Sequence, residues 1–440
     1  MNTLRNVDLI IEARWIIPVE PANTTLEHHA VVIDKGLIAD LLPIHKSHEC
    51  YTATEIVELP EHVLLPGLIN AHTHAAMSLL RGIADDLPLT PWLQDAIWPM
   101  EQKLVSSQFV YDGTSLAAAE MLCGGITCAS DMYFFPDDAA RAFSDAGMRA
   151  ALGITIIDFP SNYATTADDY LHKGLQAREN WKENPLINFA LAPHAPYTVS
   201  NQSFERIATL AEELDTGIHI HIHETTQEIR GSLAQHGVRP LARLDGLGLI
   251  GPNSQLVHAV YLTECEQQLI AARNCSVIHN PTSNMKLASG IAPVNSMLAQ
   301  GINVALGTDG AASNNRLDIF QEMRHAALLA KVTSGDASAL PAHQVIRMAT
   351  LNGAQSLGLQ EQIGSIQHGK EADLCAVSLG SPQNTPCYDP ASHLVYVAGR
   401  ESVTDVWVQG KPRVRTGSLL HASNKELLSI SRLWQNATKR

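Results

Sequence analysis

His72 and His74 stand two residues apart in the run AHTH. Side chains on an extended strand alternate between faces, so both imidazoles project to one side and can grip a single metal ion. A second run, GIHIHIHE at 217–224, sets His219, His221 and His223 on one face and the isoleucines on the other. Glu224 breaks that alternation and reaches the histidine face only if the strand ends or kinks there. His194, His258 and His279 follow the same style of apolar run, and GTDG carries Asp309. Neutral imidazoles with one carboxylate suit one divalent ion, zinc first and iron second, with a position left for water. His72, His74, His221 and Asp309 are the expected ligands. Water on such an ion gives up a proton near neutral pH. Asp309 can take that proton, and His258 can orient the nucleophile and stabilise a tetrahedral intermediate. Glu224 can protonate a ring nitrogen and then the leaving group, help worth roughly 10²–10⁴ in rate. His219, deeper along its strand, reads as a buried, hydrogen-bonded histidine, and His223 as the start of a loop.

Such residues need a frame that collects strand ends. Eight strand candidates run through the middle of the chain: 63–70, 125–131, 149–157, 187–193, 217–223, 254–260, 275–279 and 302–308. Helix-like stretches such as 112–123, 202–214 and 317–331 lie between them. Alternating strands and helices predict a parallel sheet, and eight units predict a closed (β/α)₈ barrel, with a doubly wound sheet as the alternative. In a barrel the active site lies at the C-terminal strand ends, where six of these candidates carry the His or Asp residues named above. The first 60 or so residues and those after about 360 are β-rich, with a hairpin expected at Asp34-Lys35-Gly36. The two ends should combine into a small β-sandwich domain. The expected division is 1–62 and 363–440 for that domain and 63–362 for the barrel. Ser423 and Glu426 form a capping box for a final helix over ELLSISRLWQ.

Bulk properties narrow the partners. The chain has 440 residues, 45% hydrophobic and 17% charged, with a formal net charge of −15. So acidic a chain is a poor ligand for nucleic acid or an anionic membrane. No apolar run is long enough for a bilayer, and MNTLRNVDLI reads as the approach to a strand rather than a signal peptide. The seven cysteines, Cys50, Cys123, Cys128, Cys265, Cys275, Cys375 and Cys387, show no C-x-x-C and read as free thiols of a cytoplasmic protein.

Taken together, LPGLINAHTH at 65–74, HIHE at 221–224, His258, NPTSNMKLASG at 280–290, LGTDGAASNN at 306–315 and GSIQHGKEADL at 364–374 resemble the amidohydrolase superfamily over nearly the whole chain. The nearest resemblance is to its deaminases of 5′-methylthioadenosine and S-adenosylhomocysteine, close to triazine hydrolases and guanine deaminases. The resemblance implies a metal-dependent aminohydrolase giving the inosine analogue and ammonia, a small-molecule nucleoside as partner, and a homo-oligomer. His72, His74, His221 and Asp309 match the metal ligands of that group, and Glu224 and His258 its catalytic pair. His194 in APHAPYT matches a substrate-binding histidine. Glu101 in WLQDAIWPME matches the acid that holds the ribose hydroxyls. Ser313 in AASNN is a further substrate-side candidate. Arg149 matches an arginine of the group but reads as a structural pair, and the second arginine falls at Ile154. Its loss disfavours the homocysteine carboxylate, so methylthioadenosine or adenosine is expected ahead of S-adenosylhomocysteine. INFALAPHAPYT lacks the bridging lysine of binuclear members, which implies one metal. A triazine hydrolase, a guanine or pterin deaminase and a non-catalytic scaffold are the rival readings. The intact ligand set and Glu224 argue against the last.

Overall fold

The computed structural model describes residues 4–438. Four strands come first: β1 (Arg5–Ile16), β2 (Leu26–Asp34), β3 (Leu37–Pro43) and β4 (Tyr51–Pro66). Eight follow: β5 (Leu68–Thr73), β6 (Ile126–Tyr133), β7 (Arg149–Ile156), β8 (Ile187–Pro193), β9 (Ile218–Ile222), β10 (Ser254–His258), β11 (Ser276–His279) and β12 (Asn303–Leu306). Four more close the series: β13 (Leu374–Ser378), β14 (Val403–Val408), β15 (Lys411–Arg415) and β16 (Ser418–Leu419).

β5 to β12 form one sheet in strict chain order, with helices in the crossovers. Sequential order without a switch point rules out the doubly wound alternative. The two outer strands meet at their C-terminal ends. The His72 carbonyl accepts from the Thr308 and Asp309 amides at 3.1 and 3.0 Å. Asn70 and Thr308 exchange two further bonds, of 2.8 and 2.9 Å. The result is the expected (β/α)₈ barrel, nearly closed. The first expected strand, 63–70, is two strands: β4 ends at Pro66 and β5 begins at Leu68. Gly67 between them is required, because a Cβ there would lie 2.1 Å from the Thr127 hydroxyl.

The remaining strands form the second sheet, ordered β16-β15-β14-β13-β4-β1-β2-β3. Both chain ends therefore build it. One core gathers Leu9, Val31, Leu64, Leu374 and Trp407 from five of its strands. Lys35 and Gly36 take positive φ and turn β2 into β3, the hairpin read from sequence.

The chain divides into two compact units. One comprises Met1–Ile69, Glu120–Cys128 and Asp318–His421, the other Asn70–Ala119, Ala129–Leu317 and Ala422–Arg440. This differs from the expected boundaries. Residues 318–362 fall in the first unit, and the terminal helix falls in the second rather than with the β domain. That helix, Asn424–Thr438, starts at the Ser423–Glu426 box, with bonds of 2.7 to 3.3 Å. Trp434 then holds it: its indole N–H donates to Asp112 at 2.8 Å and its ring packs edge-on against Phe109. The half-buried indole, with its one donor satisfied, anchors the helix there. All seven cysteines are free, and among the described residues no helix is long and apolar enough to cross a membrane.

Candidate active site

Strand parity delivers the first histidines. His72 ends up fully buried, and its Nε2 lies 3.2 Å from Nε2 of His221 and 3.4 Å from Oδ1 of Asp309. His74 Nε2 lies 3.3 Å from the same Oδ1. Each histidine is oriented by its other nitrogen. Nδ1 of His74 meets the Met132 carbonyl at 2.6 Å, Nδ1 of His221 the His194 carbonyl at 2.8 Å, and Nδ1 of His72 meets His219 Nε2 at 2.8 Å. A carbonyl can only accept, so His74 and His221 carry their proton on Nδ1 when neutral and turn a bare Nε2 inward. Bare ring nitrogens converging in a buried space want a cation between them. The donor set fits a divalent ion, and His258 can also join His72 and His221 in such a group.

Electrostatics agree for most of the set. Burial drives His72 down to about 3 and His221 well below the usual histidine value. Burial acts against the Asp309 carboxylate, but hydrogen bonds from His72 and His74 hold it well below the usual range. His74 moves the other way. Burial would lower it, yet the adjoining Asp309 takes it to about 9. A proton on His74 and a cation in the cluster compete for one lone pair, so a metal held there would displace that proton.

Glu224 arrives by the kink its position requires. β9 stops at Ile222 and His223 adopts φ +55°, which turns the next side chain inward. His258 and Asp309 are also left-handed, at φ +72° and +62°. Each such non-glycine conformation costs of order 1–3 kcal/mol and concentrates at working sites. Glu224 Oε1 accepts from Ser289 at 3.0 Å and Oε2 lies 3.7 Å from His258 Nε2. Burial raises its pKa, opposed by His258. His258 Nδ1 lies 2.8 Å from Asn284 Oδ1, an acceptor, so its Nε2 faces Glu224 without a proton when neutral.

These groups open onto a cavity of about 390 Å³ lined by His74, His194, His221, Glu224, His258 and Asp309. Glu101 and Tyr133 lie on the same cavity wall, the tyrosine hydroxyl donating to Glu101 at 2.7 Å. Burial pushes Glu101 up to about 7, against that hydroxyl and His74. Trp92, Trp98 and Ile97 of the adjoining helical turns complete an apolar wall.

The structure brings together His72, His74, His221, Asp309, Glu224 and His258, with His194 and Glu101 on the same cavity. Ser313 is a correction. It is buried outside the cavity lining and donates to Asp309 Oδ2 at 2.7 Å, because the AASNN turn folds back onto that carboxylate. Ile154, where the second arginine of the group would fall, packs its side chain against Gly174 of the Ala167–Trp181 helix. Arg149 is buried and donates to the Pro185 carbonyl, as a structural pair would. His219 is buried between His72 and Ser130, and His223 is held by the Tyr261 carbonyl and the Leu241 amide. His279 is buried outside the lining. Sequence reasoning missed Ser283, Asn284 and Ser289, which bond Asp309, His258 and Glu224. All three sit in NPTSNMKLASG, so the signal was a dense polar run after a strand.

A parallel barrel whose strand ends gather a histidine–aspartate cluster beside a buried acid is the frame of a metal-dependent hydrolase. The amidohydrolase family model matches residues 63–413, and the chain belongs to that family. It is 48% identical over 435 residues to a 5-methylthioadenosine/S-adenosylhomocysteine deaminase of Saccharophagus degradans, covering 99% of this chain and 98% of that one. A 5′-deoxyadenosine deaminase of Methanothermobacter thermautotrophicus is 41% identical, with 91% and 93% covered. Among solved structures, a zinc-bound adenosine deaminase from Xanthomonas campestris is 46% identical, with a TM-score of 0.98 and 99% and 100% covered.

Proposed function

We propose that this protein hydrolytically deaminates adenosine-type nucleosides, 5′-methylthioadenosine and adenosine first, to the inosine analogue and ammonia. One observation carries the reading: Glu224 and Glu101 line the same cavity, one beside the histidine cluster and one against Tyr133. Glu224 suits proton transfer to a purine, and Glu101 suits a vicinal diol. The named activities of the similar proteins support the same chemistry.

His72, His74, His221 and Asp309 are the proposed ligands of one divalent ion, zinc for preference. When bound, the ion supplies a water acidic enough to attack at neutral pH. Asp309, its carboxylate held in place by Ser283 and Ser313 on Oδ2, would accept a proton from the attacking water. His258, fixed by Asn284, orients the nucleophile through Nε2. Glu224 would deliver its one proton to the ring nitrogen next to the attacked carbon, take a second from the added hydroxyl group as the carbonyl forms, and pass that one to the departing amine, after which the proton held by Asp309 restores its acid form. His194 faces the base, and Glu101 accepts from both ribose hydroxyls. The reading includes a cytoplasmic, homo-oligomeric enzyme.

The test is ammonia release by zinc-loaded protein from 5′-methylthioadenosine, with adenine as the base lacking ribose. Release from the nucleoside alone is expected. No release from either would send the search to aminated triazines. No lysine or arginine lines the cavity among the described residues, so S-adenosylhomocysteine should show a kcat/KM at least roughly tenfold lower. A buried carboxylate without a partner is costly. Equal kcat/KM would refute that ranking.

The pH dependence of KM should report Glu101. Its carboxyl is raised to about 7, and only the ionised form accepts two hydroxyls. KM should therefore fall as pH rises from 6 to 8. Glu101→Gln should raise KM roughly tenfold or more at high pH, as expected for lost hydrogen bonds to a charged group. It should also flatten the pH dependence. A slope that survives the substitution would assign it to another group.

A further inference from the structure

We infer that Glu228 is a positioning residue for Glu224, an inference that rests on the role given to Glu224 above. Its carboxylate clamps the left-handed turn that brings the proton carrier into the cavity. Glu228 Oε1 accepts from the His223 amide at 2.8 Å, and Oε2 accepts from the Glu224 amide at 2.9 Å. One side chain thus holds both amides of the turn.

The arrangement goes further than ordinary helix capping. Glu228 is the third residue of the Thr226–His236 helix, whose cap is Thr225. In a capping box the third-residue acid returns to the amide of the cap. This chain does so at Thr263, whose amide donates to Glu266 at 2.8 Å. Glu228 is also within reach of the Thr225 amide, and beyond that cap it takes the amides of the two residues before it. Those are His223, the residue at φ +55°, and Glu224.

The rest of the turn is already fixed from the other side. The His223 carbonyl accepts from the Val260 and Tyr261 amides, and its ring sits between the Tyr261 carbonyl and the Leu241 amide. Only the amide edge remains, and Glu228 takes it. Glu228 also lines a second cavity of about 260 Å³ that shares Leu89, Leu93, Trp98 and Tyr197 with the first. It acts from behind the turn, touching neither the histidine cluster nor the first cavity. Small displacements of a reacting group cost up to about 100-fold in rate.

The experiment compares Glu228→Gln and Glu228→Ala with the wild type. It follows metal content, melting temperature, amide exchange over residues 222–225, and kcat and KM for 5′-methylthioadenosine. Glutamine keeps one acceptor and sets an N–H against the other amide, while alanine removes both. Metal content should stay at the wild-type level. Amide exchange over the turn should accelerate in both variants. The kcat should fall about 10- to 100-fold, more for alanine, with KM changed less than about threefold. If Glu228→Ala fails to fold, Glu228→Gln decides. Unchanged kcat, or a loss that tracks lost metal or a collapsed melting temperature in Glu228→Gln, would overturn the assignment. A wild type without deaminase activity would sink the functional reading instead. The exchange data would then still decide whether Glu228 holds the turn.

Discussion

Glu224→Gln should leave the metal in place and abolish nearly all turnover, lowering kcat by about 10³ or more. The expectation follows from what the substitution spares. Glutamine matches glutamate in shape, its carbonyl can still accept from Ser289, and Glu224 is absent from both groups of residues close enough to share an ion. What goes is the exchangeable proton. Two transfers depend on it, one to the ring and one to the leaving amine, and each general acid–base contribution is worth roughly 10²–10⁴. Metal analysis and steady-state kinetics on one preparation would decide. Full turnover would remove Glu224 from the mechanism. Lost metal would make it a structural residue.

His72→Ala should lose metal and activity together. His72 is fully buried at the centre of the cluster, within 3.4 Å of His221 and Asp309 and bonded to His219. Truncation removes one ring nitrogen from the set and strips His219 Nε2 of its partner. An ion that binds only the folded state raises the melting temperature. A chelator should therefore lower the melting temperature of wild type and leave His72→Ala unmoved. Elemental analysis should find less than about one tenth of the wild-type metal, since weaker, outer-layer losses already cost 10- to 100-fold in affinity. A variant that kept its ion would remove His72 from the ligand set.

Local chemistry was legible in the sequence wherever strand periodicity sufficed. The parity of His72 and His74, and of His219 and His221, follows from a pleat of two residues. So does the need for a kink before Glu224, which the structure meets with φ +55° at His223. The alternation of strands and helices foretold the barrel, and the six strand ends carrying the named His and Asp residues pointed to the end where the cavity opens. Two side chains took places that spacing along the chain does not show. Ser313 lies four residues from Asp309 and folds back to bond it. Ile154 lies on a strand bordering the site but points at Gly174.

What the sequence determined by itself was which residues could work and which face each would take, because those depend on residues near in the chain. Tertiary structure alone decided which strand ends meet. It brought His72 to within 3.4 Å of Asp309 across 237 positions, and it set the terminal helix against Phe109 through Trp434. It also decided which polar side chains bond to Asp309, His258 and Glu224: Ser283, Asn284 and Ser289 from one loop, and Glu228 on the Glu224 amide. Such pairings follow from barrel closure and from the requirement that buried polar groups find partners. Neither leaves a periodic mark in the chain.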